Sequence, residues 1–296
     1  MIKSVLPFLT LLLGLLMLIF TGCRENVDEP CVESIWYEDA DEDGLGNPNV
    51  SRVSCDQPDG FVLDDTDPND TGINSTPVSA FSEFNPDAVT VSFDGDEITI
   101  ESNGTPNHTS PYWEETHPLY IEPVVATRQT PGRIEENRSY TLTVPSTPEL
   151  APTSTATGLG AIGISVTGVP IFNDEEGPGR PIEEMIVETF DYAGAHNGPS
   201  GYHYHIESSD VPENTVLSHD DEKLVGIMSD GFLIYGRKEM DGSYPTDLDA
   251  SGGHFGVTPH SNGEEIYHYH IINEYYLGNI IALFAGDLQG TPNTIF

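Results

Sequence analysis

Four of the chain's ten histidines lie in two copies of one short motif, which reads GYHYHI at 201–206 and IYHYHI at 266–271. Alternation at period two and a high aromatic content both favour a β-strand. Side chains at i and i+2 share one face of a strand, so His203 and His205 would point one way. The same holds for His268 and His270. Two imidazoles on one face can chelate a single metal ion.

A second pattern, D-x-x-G-x-H, precedes both copies and occurs as DYAGAH at 191–196 and DASGGH at 249–254. This repetition suggests an internal duplication. His196 and His254 could each complete a three-histidine set. Neutral imidazole suits zinc, copper, iron or nickel, and we predict zinc or copper. The alternative is that the histidines only line a polar sheet face.

Several carboxylates near these motifs could support the site. Asp230 could orient a ligand imidazole or serve only in a turn. Asp191 and Asp249 could likewise orient a ligand or cap the local backbone. Glu207 falls on the histidine side of the first motif, where it is a weak candidate for a carboxylate ligand or a catalytic general base. Its counterpart in the second copy is Ile272.

The remaining aromatic and histidine residues have less context. We predict that the motif tyrosines pack in the core or support the ligands. His117, His219 and His260 lie outside any duplicated pattern, and we predict that they lie at the surface. His260 is the first exception to expect, because it falls in the long loop of the second copy.

Short strands must position these residues. AVTVSFDGDEITI at 88–100 and KLVGIMSDGFLIYG at 223–236 are typical of hairpins that turn at Asp-Gly. SYTLTV and IIALFAG also have strand character, and no stretch shows a convincing 3.6-residue period. We therefore predict a mainly β fold: a sandwich or barrel-like β domain with an internal duplication, over residues 85–296.

An acidic segment at 23–75 differs from this body because it contains few aliphatic residues. It needs a disulfide or a metal to hold a shape, and alternate carboxylates on tight turns can bind calcium. The pattern resembles the calcium repeats of thrombospondin type 3 and the Asp-rich metal-binding modules of bacterial surface proteins. The alternative is a solvated acidic segment, and 76–84 would be a linker. The predicted calcium ligands are Asp39, Asp41, Asp43, Asp65 and Asp67.

The N-terminus and the cysteines indicate an extracytoplasmic protein. Residues 1–22 read as a lipoprotein signal peptide, in which Cys23 is the lipidated residue, although an ordinary signal peptide is the alternative. Cys31 and Cys55 can then form a disulfide in an oxidising compartment. We expect a lipid-anchored protein of the cell envelope, on the periplasmic or cell-surface side of the outer membrane. The formal net charge of −39 argues against a nucleic-acid partner.

The chain resembles the YHYH-domain proteins. The resemblance is carried by SNGTPNH at 102–108, GVPIFN at 168–173, GYHYH at 201–205 and VGIMSDGFLIYG at 225–236. It implies one domain from about residue 85 to 287, and it adds His108 as a candidate ligand. The family commonly has a cysteine before the first lone histidine, where this chain has Ala193.

Three functions remain open. The first is a membrane-anchored metal-binding protein with a transition metal at the histidines and calcium in the acidic segment. The second is a metal-dependent hydrolase or oxidoreductase of unknown substrate. The third is an adhesive or carbohydrate-binding β domain whose tyrosines stack on a glycan.

The duplicated strands also allow two site arrangements. Two-fold symmetry would make the motif strands neighbours, and we therefore predict one composite site. His196 and His254 would lie at its margin, and His108 would approach from the N-terminal segment. The alternative is one separate three-histidine site in each copy.

Overall fold

The computed structural model describes residues 32–39, 46–65, 75–123, 133–136, 138–207, 219–278 and 280–296. The fold is mainly β, as predicted. No helix within these ranges is long and apolar enough to span a membrane. The elements in chain order are β1 (Ser34–Glu38), β2 (Asn47–Ser54), β3 (Phe61–Val62), a 3-10 helix (Val78–Glu83), β4 (Val89–Asp94), β5 (Glu97–Ser102), β6 (Tyr140–Pro145), β7 (Leu150–Ala156), β8 (Gly163–Ser165), β9 (Pro170–Ile171), β10 (Glu175–Gly177), β11 (Arg180–Pro181), α1 (Glu184–Val187), β12 (Ala195–Gly198), β13 (Gly201–Tyr204), β14 (Leu224–Met228), β15 (Leu233–Tyr235), β16 (Gly253–Val257), β17 (Glu265–His270) and β18 (Asp287–Gly290).

An eight-stranded sheet carries both motifs, in the order β12-β13-β9-β8-β14-β15-β17-β16. Each half contains an antiparallel hairpin, β8–β9 or β14–β15, whose second strand pairs in parallel with the motif strand. The motif strand then pairs with an antiparallel edge strand, β12 or β16. The halves meet where β8 pairs with β14. The strand order therefore has the approximate two-fold symmetry that the duplicated sequence indicates.

The two faces of this sheet bury different side chains. The motif tyrosines pack on one face, in a core with Tyr112, Trp113 and Phe284. On the other face, Ile164, Ile227 and neighbouring apolar residues pack against the three-stranded sheet β4-β5-β6. This small sheet covers strands from the middle of the large sheet, on the same side as the motif histidines.

The N-terminal segment forms its own sheet, with the order β2-β1-β3. Asp39 is buried at the end of β1, Asp65 is exposed, and Cys55 is disulfide-bonded. The segment predicted as a linker, 76–84, contains the 3-10 helix and packs Phe81 and Phe84 into the core. The other residues predicted for this module and for the lipid anchor, Cys23, Cys31, Asp41, Asp43 and Asp67, lie outside the described ranges.

Candidate metal centres

Strand register brings the lone histidine of each copy against its motif. His196 on β12 lies opposite His203 on β13, and His254 on β16 lies opposite His268 on β17. Opposed side chains on one sheet face are direct neighbours, and the second motif histidine is two residues farther along the same strand. Each copy therefore gathers three imidazoles at one place. We call them the first cluster (Glu176, His196, His203 and His205) and the second cluster (Glu239, His254, His268 and His270).

The glycine of each D-x-x-G-x-H pattern permits the tight turn that leads into the edge strand. Gly194 and Gly252 have φ angles of +77° and +84°. A Cβ at Gly194 would collide with the carbonyl oxygen of Ile206, and one at Gly252 with that of His270. Both positions therefore need glycine for conformation and for space.

The hydrogen-bond partners fix the tautomer of the motif imidazoles. Nδ1 of His203 lies 2.7 Å from the Gly201 carbonyl oxygen, and Nδ1 of His205 lies 2.6 Å from that of Asn173. In the second copy, Nδ1 of His268 and of His270 face carbonyl oxygens at 3.0 and 2.6 Å. A carbonyl oxygen only accepts, so each Nδ1 must carry the proton and donate it. Each Nε2 of a neutral ring is therefore left with a free lone pair.

The lone histidines are oriented in the same way by side chains. Nδ1 of His196 donates to Thr189 Oγ1 at 2.8 Å, because that hydroxyl already donates to the Ile186 carbonyl. Nδ1 of His254 donates to a carboxylate oxygen of Asp247 at 3.0 Å. Such partners orient metal-binding imidazoles in known sites. All six Nε2 atoms are thus available as ligands.

The six Nε2 atoms converge in two groups of three. In the first cluster, Nε2 of His196 lies 3.1 Å from that of His203. In the second, Nε2 of His268 lies 2.9 Å from that of His270. Metal–nitrogen bonds of about 2 Å in a tetrahedron separate the ligand atoms by about 3.3 Å. The observed spacing therefore fits a single ion in each cluster.

A glutamate approaches each group of imidazoles. Glu176 Oε1 lies 3.1 Å from Nε2 of His196 and 3.2 Å from Nε2 of His205. Glu239 places Oε1 3.3 Å from Nε2 of His254 and Oε2 3.8 Å from Nε2 of His270. Sequence reasoning missed both glutamates. The signal was present, because T/D-G-x-x-I-x-x-x-x-E occurs once in each copy, at 167–176 and 230–239.

Several of these converging atoms are buried without a hydrogen bond. Within the part of the chain that the structure describes, Glu176 Oε1, His205 Nε2 and His254 Nε2 have no hydrogen-bond partner. Buried polar atoms are normally paired, because leaving one unpaired costs about 1–3 kcal/mol. Lone pairs and a carboxylate that face each other also repel. Both costs are removed if a cation occupies the space between them.

Burial keeps the motif imidazoles neutral. It lowers the pKa of His205 and of His270 to about 4, and the pKa of His268 to about 3. Burial also holds the pKa of His203 well below its ordinary value. A neutral imidazole is the form that binds metal. The two glutamates differ: burial raises the pKa of Glu239, whereas for Glu176 burial is outweighed by the neighbouring His196, His205 and Arg180 side chains, which lower its pKa.

The predicted composite site is wrong. Four strands, β9, β8, β14 and β15, lie between the two motif strands. The imidazoles form two groups, and the ligand atoms within each lie within 4.8 Å of one another. The small sheet packs on the strands between them. The halves are related by symmetry about the β8–β14 pair, so the motif strands lie on either side of it and not side by side.

His108 is not part of either cluster. Its Nε2 lies 2.7 Å from the Tyr204 hydroxyl and its Nδ1 lies 3.0 Å from the Thr109 carbonyl oxygen. The ring therefore lies on the tyrosine face, because Tyr204 and the histidines of β13 point to opposite sides. The structure does not support the predicted role of His108 as a metal ligand.

The predicted supporting aspartates also lie with the tyrosines. Asp191 accepts hydrogen bonds from Tyr202 and from backbone amides, and Asp249 does the same for Tyr267. Asp230 accepts from the Tyr269 hydroxyl at 2.6 Å. These three residues cap turns and orient tyrosines, and among the described residues no hydrogen bond joins them to an imidazole.

Glu207 and the three isolated histidines lie outside both clusters. Glu207 is bonded to the Arg237 guanidinium at 2.9 Å and belongs to neither cluster. His219 is buried, which corrects its predicted surface position. His117 stacks on Trp113, and His260 bonds to Tyr235 and Glu83. The motif tyrosines are buried too, so they offer no exposed face for a glycan.

Comparison with known proteins supports the resemblance found in the sequence. Residues 141–246 match the model of a family described as YHYH protein. The matched range includes the first cluster and Glu239, but it ends before the three histidines of the second. No curated protein and no solved structure matches the chain.

Proposed function

The chain contains a YHYH domain, and we propose that this domain is a metal-binding module that holds one transition-metal ion in each cluster. The observation that carries the proposal is the convergence of three imidazoles in each copy, with the carboxylate of Glu176 or Glu239 beside two of them. Zinc and copper are the first candidates, since imidazole and carboxylate suit both. Each ion would bridge ligands from the edge strand, the motif strand and the glutamate segment.

The test is metal analysis of the full chain purified without a histidine tag. We expect about two ions per chain after loading with zinc, one for each three-histidine set. The double variant His203→Ala/His205→Ala should retain one ion, and so should His268→Ala/His270→Ala. The quadruple variant should retain none. His108→Gln and His117→Gln are the controls, because neither ring belongs to a cluster. Full metal content in the quadruple variant would refute the proposal.

Two further proposals, on the location and on a second metal, are supported by the N-terminal sequence. We propose that Cys23 carries a lipid that anchors the protein in the cell envelope, and that the acidic segment binds calcium. Supporting features are the apolar run that precedes Cys23 and the alternating aspartates. Calcium should protect the full chain from proteolysis between 32 and 75. Identical digests in calcium and in EDTA would leave this segment as a solvated acidic module.

A further inference from the structure

A cleft outside both clusters lies between the 3-10 helix and the start of β14. It has a volume of about 390 Å³. Its walls come from residues 82–86, from the β8–β9 turn, from Asn107 and from residues 223–225, and His219 lines it as well. The residues that line it in the described part of the chain include no member of either cluster. A ligand in this cleft would therefore bind independently of the metal centres.

His219 is a buried side chain of this lining that lacks hydrogen bonds. The residue is 1% exposed, and neither Nδ1 nor Nε2 has a hydrogen-bond partner among the residues that the structure describes. Burial lowers the pKa of the ring to about 3, so the ring is neutral at pH 7. A neutral imidazole has one N–H donor and one lone pair that accepts. Because buried polar atoms are normally paired, the unpaired ring indicates that the cleft takes a polar ligand.

Both charged side chains in the described lining of the cleft already have partners. Lys223 Nζ lies 3.1 Å from Asp221 Oδ2, and Glu83 Oε1 lies 2.9 Å from Nε2 of His260. A charged ligand would have to compete with these partners. The other polar side chains of the lining are uncharged: Ser82, Asn85, Asn107, Thr167 and His219. The cleft therefore suits a ligand without net charge.

Hydroxyl groups match this set of side chains. A hydroxyl both donates and accepts, so it can pair with either nitrogen of His219, whichever of them carries the proton. A carboxylate only accepts and an ammonium only donates, so each can pair with only one of the two nitrogens. Phe84, Val166 and Leu224 add apolar surface to the walls. A sugar ring has both hydroxyls and apolar C–H groups, and small-molecule sites combine polar and apolar contacts in this way.

We propose that this cleft binds a neutral sugar residue, whose hydroxyls form the hydrogen bonds that the His219 ring lacks. Asn107, which is exposed, contacts the sugar from the rim. The inference goes beyond the proposed function, because the cleft and the clusters share no residue. A free monosaccharide and the end unit of a glycan offer the same hydroxyls, so the probes must distinguish these two sources.

The experiment titrates the full-length protein, labelled with 15N at histidine, with the methyl pyranosides of glucose, galactose, mannose and xylose. At least one should bind saturably in the millimolar range and shift the ring 15N signals of His219, which His219→Leu identifies. The signals of His117 should stay in place, because that ring lies outside the cleft. Glucuronate and glucosamine, which carry a charge, should bind more weakly than the glucoside. If none of the four pyranosides shifts the His219 signals, the proposal is overturned.

The free sugar and its methyl glycoside distinguish the sources. Tighter binding of the free sugar would point to a monosaccharide, since only that form has an anomeric hydroxyl. Equal binding of the two would point to the end unit of a glycan.

Two substitutions test whether the sugar binds in this cleft. His219→Leu should weaken binding of the pyranoside about tenfold or more, because it removes both nitrogens. Asn107→Ala should weaken it about fivefold, and this exposed position decides the test if His219→Leu does not fold. His117→Leu is the matched control and should keep the affinity of the parent. Parental affinity in both His219→Leu and Asn107→Ala would show that the sugar binds elsewhere.

Discussion

The two clusters contain the same four groups, three imidazoles and one carboxylate, but the residues around these groups differ. Thr189, a neutral hydroxyl, orients the lone histidine of the first cluster, and Asp247, a carboxylate, orients that of the second. Phe172 covers the first, and Tyr235, which is hydrogen-bonded to His260, covers the second. The comparison shows how a duplicated domain can keep its ligands while residues around them diverge. The two clusters therefore differ in the residues around the four groups and not in the groups themselves.

Of the changes predicted here, removal of the metal should lower the stability of the protein most. A site occupied at 100 times its Kd contributes about 2.7 kcal/mol, so two sites contribute about 5 kcal/mol. Chelation should lower the Tm by about 10 °C or more for a domain of this size. Each of the two double variants keeps one cluster, and these single-cluster proteins should show about half of that drop, measured by calorimetry with and without EDTA. Equal melting curves in both conditions would mean that neither cluster binds an ion.

The next largest effect concerns the tyrosine face, where equivalent substitutions in the two copies should cost different amounts of unfolding free energy. Asp230 is buried and accepts from Tyr269 and from the Gly290 amide, whereas the equivalent Thr167 hydroxyl meets Tyr204 at 3.0 Å. Asp230→Ala removes the acceptor of these two donors and of the Phe232 amide, and should cost about 3 kcal/mol. Thr167→Ala should cost about 1 kcal/mol. Urea unfolding measures both costs, and the zinc content should stay unchanged. Equal costs would show that the two networks are equivalent.

His219, a buried histidine outside the clusters, should make the stability of the protein depend on pH. Burial, and then the nearby Arg237 charge, lower the pKa of His219 to about 3. The folded state therefore binds fewer protons than the unfolded state, whose His pKa is about 6.5, so stability falls as the pH drops below 6.5. At pH 5 the loss should be up to about 2 kcal/mol.

The variant His219→Leu should lack this contribution. Its loss of stability between pH 7 and pH 5 should be smaller than that of the parent, measured by urea unfolding of the zinc-loaded proteins. His117→Leu is the control, because that ring lies on the surface side of Trp113 and is partly exposed. An unchanged pH dependence in His219→Leu would mean that His219 is protonated equally in both states.

The sequence predicted the imidazole sets but not their arrangement. Period-two alternation places His203 and His205 on one face in any strand, so that part needed no tertiary information. The order of strands in the sheet depends on how the halves pair, and β8–β14 pairing is not encoded in the motif. The predicted composite site failed for this reason.

The positions of His108 and of the two glutamates show a second limit to what the sequence can predict about the site. A motif match identified His108, but the match does not say which face of the sheet the residue reaches, and it reaches Tyr204. Glu176 and Glu239 were missed because each lies well before its lone histidine, among other acidic residues. Alignment of the two copies from the T/D-G turn onward would have identified them, since both follow the same isoleucine at the same distance.

The smallest expected effect is on zinc affinity, after substitution of the residues that orient the lone histidines. A carboxylate that accepts from a ligand imidazole raises its basicity, and loss of such a partner costs about 10–100-fold in metal affinity. Asp247 is 70% exposed, so solvent screening places its effect at the lower end. Asp247→Asn should therefore weaken zinc binding at the second cluster about tenfold, or about 1.4 kcal/mol. Thr189→Val should weaken the first cluster only about threefold, because a hydroxyl carries no charge to lose. Competition with a fluorescent chelator measures both affinities in the single-cluster proteins. Equal losses would show that the two clusters are tuned alike and that their difference lies only in Phe172 and Tyr235.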